Sequence, residues 1–121
     1  MSDSKPAQLQ GRRIMVVEDE YLVALYLTQS LEDLGATIVG PSNSVSDALA
    51  LLSTEAPDMA VLDINLGRER VYPVAQALRE RGIPFVFTTG YDNWVIPQEY
   101  ADQPRIEKPI DPAALVRLLI H

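Results

Sequence analysis

Five polar residues stand at the ends of short apolar runs. Glu18 and Asp19 follow Ile14-Met15-Val16-Val17, and Asp63 follows Met59-Ala60-Val61-Leu62. Thr89 comes after Phe85-Val86-Phe87, and Lys108 after Ile106. If each run is a strand of one open parallel sheet, all five residues reach the same edge, where such sheets bind ligands. Three carboxylates at about 5 Å would repel each other by roughly 3 kcal/mol per pair at an effective dielectric near 20. A cation would relieve that repulsion, and hard oxygen donors few in number suit Mg²⁺, which keeps several waters and is shared with a phosphate. The chemistry suggested is a divalent cation beside a carboxylate nucleophile, with Lys108 facing incoming negative charge. Thr89 would donate its hydroxyl to a phosphate oxygen, with the Gly90 backbone close by. Each residue alone also has an ordinary structural explanation. An acidic pair can simply begin a helix, Asp63 can end a strand, Lys108 can be a solvated charge, and Thr89 a β-branched strand residue.

The elements that must position these residues follow from apolar spacing. An unbroken apolar run predicts a buried strand at Arg13–Val17, and further short strands are expected at Thr37–Val39, Asp58–Leu62, Pro84–Thr88 and Arg105–Glu107. A first helix is predicted over Tyr21–Leu34, with Val23, Leu27, Leu31 and Leu34 on one stripe and Gly35 as its C-terminal glycine. A second has Ser44 as N-cap, Asp47 three residues on, and Val45, Ala48, Leu49 and Leu52 on one face. In a third, Val71, Val74, Ala75 and Leu78 repeat that spacing and Gly82 ends the helix; Gly67 reads as a loop residue. Asp111 caps the last helix with Pro112 at its first position, and Leu115, Leu118 and Leu119 are expected to face inward. Residues 90–104 hold Pro97, Pro104, Trp94 and two tyrosines without a helical stripe, so this stretch is expected to be irregular with at most one helical turn. The alternation predicts an α/β fold: a doubly wound, flavodoxin-like, five-stranded parallel sheet of order 2-1-3-4-5 with a shortened fourth helix.

Composition narrows the functional classes. The chain has 121 residues, enough for one core, and 47% of them are hydrophobic. Residues 1–10 lack an apolar core segment, so they read as a disordered tail rather than a signal peptide, leaving 11–121 as the domain. The net charge of −7 argues against a nucleic-acid partner. No run approaches the ~20 apolar residues that span a bilayer. The absence of cysteine excludes thiol chemistry and disulfides and fits a cytoplasmic location. There is no GxGxxG or GxxxxGK[ST] motif. The histidine at position 121 is terminal, a poor place for a general base.

Four motifs in this order resemble the receiver domain of bacterial two-component response regulators, a CheY-like domain. They are VVEDE at Val16–Glu20, VLDINL at Val61–Leu66, FTTGY at Phe87–Tyr91 and EKPID at Glu107–Asp111. The DINL run, the Val71-Tyr72-Pro73 helix entry and IPFVFTTGY are similar to one subgroup, the FAT GUY receivers, apart from Thr88 where that motif usually has alanine. The resemblance implies that Asp63 is the phosphoacceptor, taking its phosphoryl group from a sensor histidine kinase, by subgroup analogy one of the HWE/HisKA2 type. Glu18, Asp19, Asp63 and the backbone carbonyl of Asn65 would surround Mg²⁺, and Thr89 and Lys108 would contact the phosphoryl oxygens. Such a protein is a self-dephosphorylating acceptor that signals by protein contacts, and not a turnover enzyme. Receivers often have a cis peptide after this lysine, which makes Lys108–Pro109 a candidate. Receivers also often carry an aromatic switch residue where this chain has Arg105, so the usual threonine–aromatic switch is not expected here. Residues 91–103, with Trp94 as a probe, are the segment expected to respond to phosphorylation.

Two other readings compete. A haloacid-dehalogenase-type phosphatase also uses an aspartyl nucleophile, but it needs a second acid two residues on, where this chain has Asn65. A pseudo-receiver would bind partners without phosphorylation, which the intact acids, Thr89 and Lys108 disfavour. The expectation is a standalone receiver, or the receiver part of a longer regulator.

Overall fold

The computed structural model describes residues 8–90 and 96–120. Its main sheet has five parallel strands in the order β2-β1-β3-β6-β7. These are β1 (Arg13–Val17), β2 (Thr37–Ser42), β3 (Met59–Asp63), β6 (Phe85–Thr89) and β7 (Arg105–Glu107). Two-residue strands β4 (Asn65–Leu66) and β5 (Glu69–Arg70) form a separate antiparallel hairpin. With the hairpin set aside, the order is the 2-1-3-4-5 expected from the sequence. The helices are α1 (Tyr21–Glu32), α2 (Val45–Leu52), α3 (Tyr72–Glu80) and α4 (Pro112–Ile120). A 3₁₀ turn at Gln98–Tyr100 stands in the connection between β6 and β7, in line with the single helical turn expected there.

The period-2 alternation of the central strands builds two cores. Met15, Val17, Leu62 and Phe87 point toward α2 and α3, whereas Ile14, Val16, Val61 and Val86 point toward α1 and α4. Because both faces are covered, the strands read as continuous apolar runs. Ser44 caps α2 as predicted, its Oγ accepting from Asp47 N at 3.1 Å. From the end of the neighbouring α3, Arg81 closes the other end of α2, donating to the carbonyls of Leu52 at 2.7 Å and Glu55 at 3.1 Å.

Four local expectations need correction. The tail expected over residues 1–10 lies mostly outside the described residues, but Gln8–Gln10 form a turn. Within it, Leu9 is wholly buried and its N–H donates to Leu34 O at 2.9 Å. Polar neighbours hid this residue because its burial is created by α1, not by its own segment. In α4, Val116 is buried and Leu118 is 36% exposed, since the 3.6-residue period turns Leu118 past the core edge. In α2, Leu49 is 37% exposed for the same reason. The second strand also runs beyond Val39, through Gly40 and Pro41 to Ser42. Gly40 has φ +105°, and a Cβ there would meet Ser42 N at 2.9 Å, so the bend in β2 needs glycine.

Leu9→Ser is therefore expected to cost about 2–4 kcal/mol, as large-to-small core changes do. Urea unfolding would show a lower midpoint at an unchanged slope.

Candidate phosphoryl and metal site

Strand register assembles the site. Val17 pairs with Leu62, so the residue after Val17, Glu18, arrives beside Asp63. Asp63 pairs with Thr88, and Thr89 with Glu107. The backbone N–H of Lys108 donates to Thr89 O at 2.8 Å, setting the lysine on the next rung. The Lys108–Pro109 bond is cis, as is Gly40–Pro41.

Together these ends border an open cleft of about 700 Å³. Asp19, Glu20, Asp63, Asn65, Gly90 and Lys108 are among its lining residues. Two members of the predicted set sit behind it: Glu18 and Thr89 are each only 2% exposed. All the predicted residues thus gather at one sheet edge, with Thr89 set back from the cleft by burial in β6.

Lys108 ties the cluster together. Its Nζ lies 3.2 Å from Asp63 Oδ2, 3.2 Å from Glu18 Oε1 and 3.4 Å from Glu20 Oε1. Burial raises the Asp63 carboxyl most, and the neighbouring Glu18 charge raises it further; Lys108 offsets part of this, leaving the pKa at about 7. Burial alone would lower Lys108, but the Asp63 and Glu18 carboxylates outweigh it and raise its pKa. A single ammonium therefore does not balance the negative charge gathered around it.

The donor set fits a hard divalent cation. Glu18, Asp19 and Asp63 each offer a carboxylate oxygen, all within 4.8 Å of one another. Adjacent oxygens on one Mg²⁺ lie about 3 Å apart, so small side-chain adjustments would close the set. Glu18 Oε1 adds a specific reason. It is buried and accepts no hydrogen bond of acceptable geometry, although Lys108 Nζ is within ion-pair distance. An unsatisfied buried carboxylate oxygen is costly, and a cation beside it would remove the cost.

The hairpin was not predicted, because two-residue strands carry no periodic signal. It places Gly67, at φ +73°, against the cleft, where a Cβ would stand 3.6 Å from Asp19 Oδ2. Glu69 fastens the hairpin to α2, accepting from Val45 N at 3.0 Å. Arg70 holds Asn65 by donating to its Oδ1 at 3.0 Å. Glu20 was also missed as a participant; its place directly after the acidic pair was the available signal.

Arg105, which stands where receivers often carry an aromatic switch residue, is exposed. Behind β6 the aromatic packing comes from Tyr100, which is 1% exposed. Its ring stacks on Tyr72 at 5.3 Å and meets Phe87 edge-on at 5.6 Å. Arg79 covers it, 4.5 Å from the ring centroid, and donates to Glu99 O and Gln103 Oε1. Of the segment expected to respond to phosphorylation, residues 91–95, including Trp94, lie outside the described residues.

Comparison with known proteins agrees with the fold. Residues 14–120 match the profile of the response regulator receiver domain. The chain is similar to SdrG from Sphingomonas melonis Fr1, with 39% identity and a TM-score of 0.80, covering 94% of this chain and 98% of that one. It is also similar to the BeF3-activated conformation of SdrG from Pseudomonas melonis Fr1, with 37% identity and a TM-score of 0.77, covering 98% and 100% of the two chains. The sensory transduction protein LytT of Bacillus cereus is 32% identical over 111 residues, 88% of this chain and 45% of LytT. The chain thus spans less than half the length of that curated relative.

Proposed function

Because the chain belongs to the response regulator receiver domain family, we propose that it is a phosphoacceptor whose Asp63 takes a phosphoryl group from a sensor histidine kinase. One observation carries the reading: Lys108 Nζ stands 3.2 Å from a nearly buried Asp63 carboxylate, in a corner shared with Glu18 and Asp19. That arrangement offers a nucleophile, a fixed cation and a divalent-metal corner, the parts phosphoryl transfer needs.

In the transfer, an Asp63 carboxylate oxygen attacks phosphorus as the bond from phosphorus to the donor imidazole nitrogen breaks. The electron pair stays on that nitrogen, which then takes a proton. Lys108 neutralises charge on the transferred oxygens, and the Thr89 hydroxyl donates to one of them after moving toward the cleft. Mg²⁺, bound by Glu18, Asp19, Asp63 and the Asn65 carbonyl, would neutralise further charge on the same oxygens. The acceptor would then be a phosphorylated signalling protein and not a turnover enzyme.

A protein donor suits the surroundings. An apolar groove of about 260 Å³, lined by Leu22, Val23, Tyr26, Pro109 and Ile110, borders Lys108. Tyr21 and Leu22 beside it are 76% and 74% exposed. The Phe87-Thr88-Thr89-Gly90 run and the short 3₁₀ turn at Gln98–Tyr100 support placement in the FAT GUY subgroup. By analogy that placement favours kinases of the HWE/HisKA2 type. No described helix is long and apolar enough to cross a membrane, and the acidic charge disfavours nucleic acid, so we place the protein in the cytoplasm with protein partners.

The test is phosphotransfer from a panel of the host's autophosphorylated histidine kinases. Rapid Mg²⁺-dependent transfer from one or a few of them is expected. No transfer from any kinase would sink the assignment of the donor.

A further inference from the structure

Lys108 carries three N–H bonds, and among the described residues its Nζ donates to three carboxylates: Asp63 Oδ2 at 3.2 Å, Glu18 Oε2 at 3.3 Å and Glu20 Oε1 at 3.4 Å. The three partners are unequal. The side chains of Asp63 and Glu18 are 3% and 0% exposed, whereas that of Glu20 is 65% exposed. Glu20 also occupies the N-cap position of α1, beside the free N–H groups of the first turn. It makes no side-chain cap bond. Its carboxylate reaches Lys108, 88 residues away in sequence, and its own N–H is taken by Glu18 Oε2 at 3.1 Å.

A phosphoryl group on Asp63 would need donors for its oxygens, and Lys108 has no fourth N–H to offer. One carboxylate must give way. Asp63 itself would carry the phosphoryl group and Glu18 stays buried in the metal corner, while releasing Glu20 returns it to solvent it already faces. Glu20 is thus the exchangeable partner. It is also an extra negative charge at the mouth of a cleft that must admit an anionic donor.

We propose that Glu20 is a positioning residue for Lys108, holding the ammonium at the cleft mouth before phosphorylation and surrendering that N–H to the arriving phosphoryl group. The idea rests on the phosphoacceptor reading of Asp63. It makes Glu20 a brake on phosphorylation, set by competition for one lysine.

The test compares Glu20→Gln with Glu32→Gln, which removes the same charge from an exposed site at the far end of α1. With acetyl phosphate and Mg²⁺ at low ionic strength, Glu20→Gln is expected to take label about two- to fivefold faster than wild type, and added salt should shrink the gap. Glu32→Gln should match wild type. In the unphosphorylated, metal-free protein, the Lys108 ammonium protons should exchange with water faster in Glu20→Gln, a readout that needs no phosphorylation. Equal labelling and equal proton exchange in the two variants would overturn the proposal. A wild-type chain that takes no label at all would instead sink the phosphoacceptor reading, and the exchange step with it, whatever the ammonium protons do.

Discussion

Asp63→Asn is expected to abolish phosphorylation and, in the metal-free protein at pH 7.5, to raise the melting temperature by about 5–15 °C. Both effects come from the same carboxylate. It is 3% exposed and packed against Glu18, and one shared lysine does not neutralise the pair. Asparagine keeps the shape and removes the charge and the nucleophile together. A relief on the order of 2–3 kcal/mol in a domain of this size corresponds to a rise of that magnitude. Calorimetry with a chelator present checks the stability, and intact-mass measurement checks the labelling. A variant that melts at or below the wild-type temperature would mean that Lys108 already compensates the buried charges.

The second large effect is a pH dependence that Mg²⁺ reverses. The Asp63 carboxyl is raised from 3.8 to about 7 in the folded chain. Below pH 4 both folded and unfolded chains hold its proton, and its contribution to stability is full. Between pH 4 and 7 the unfolded chain has lost that proton while the folded chain keeps it, so the contribution falls as pH rises. Above about 7 both forms are ionised and the contribution levels off. The gap between the wild-type and Asp63→Asn stability curves should therefore open across that window, by a few kcal/mol in all. Coordination requires the ionised carboxylate, so Mg²⁺ binding near pH 6.5 should release protons. Calorimetric titration in two buffers of different ionisation enthalpy would detect about half a proton or more per ion, with none in Asp63→Asn. An enthalpy independent of buffer would contradict the raised carboxyl.

The strands and the residues at their ends were readable because local chemistry announces them. Met59–Asp63 is an apolar run closed by a carboxylate, and its burial on both faces leaves no alternation to confuse the pattern. Ser44 with Asp47 marked a helix start, and in the structure the Ser44 Oγ accepts from Asp47 N there. What escaped was decided by partners distant in sequence. Leu9 is buried by its seat beneath α1, not by anything in its polar neighbourhood. Tyr100 lies in a stretch with no helical stripe and owes its burial to Tyr72, Phe87 and Arg79. Leu118 and Val116 exchanged places because a short helix tolerates a small phase error in reading its face. Glu20 was visible as an acid but not as a partner of Lys108, since only the fold brings the two together.

The departure at Arg105 also gains a physical setting. With no aromatic side chain at that position, the aromatic group behind β6 is Tyr100, held from α3 by Tyr72 and Arg79. The last part of the connection from Thr89 to Lys108 is therefore anchored to α3.

Asp63 is expected to accept a phosphoryl group in a metal-dependent step, which peptide mapping after treatment with acetyl phosphate would reveal. One phosphoryl group per chain is expected, on Asp63, formed with Mg²⁺ and absent when a chelator is present from the start. Label on a different residue, label indifferent to the chelator, or no label at all would contradict that assignment.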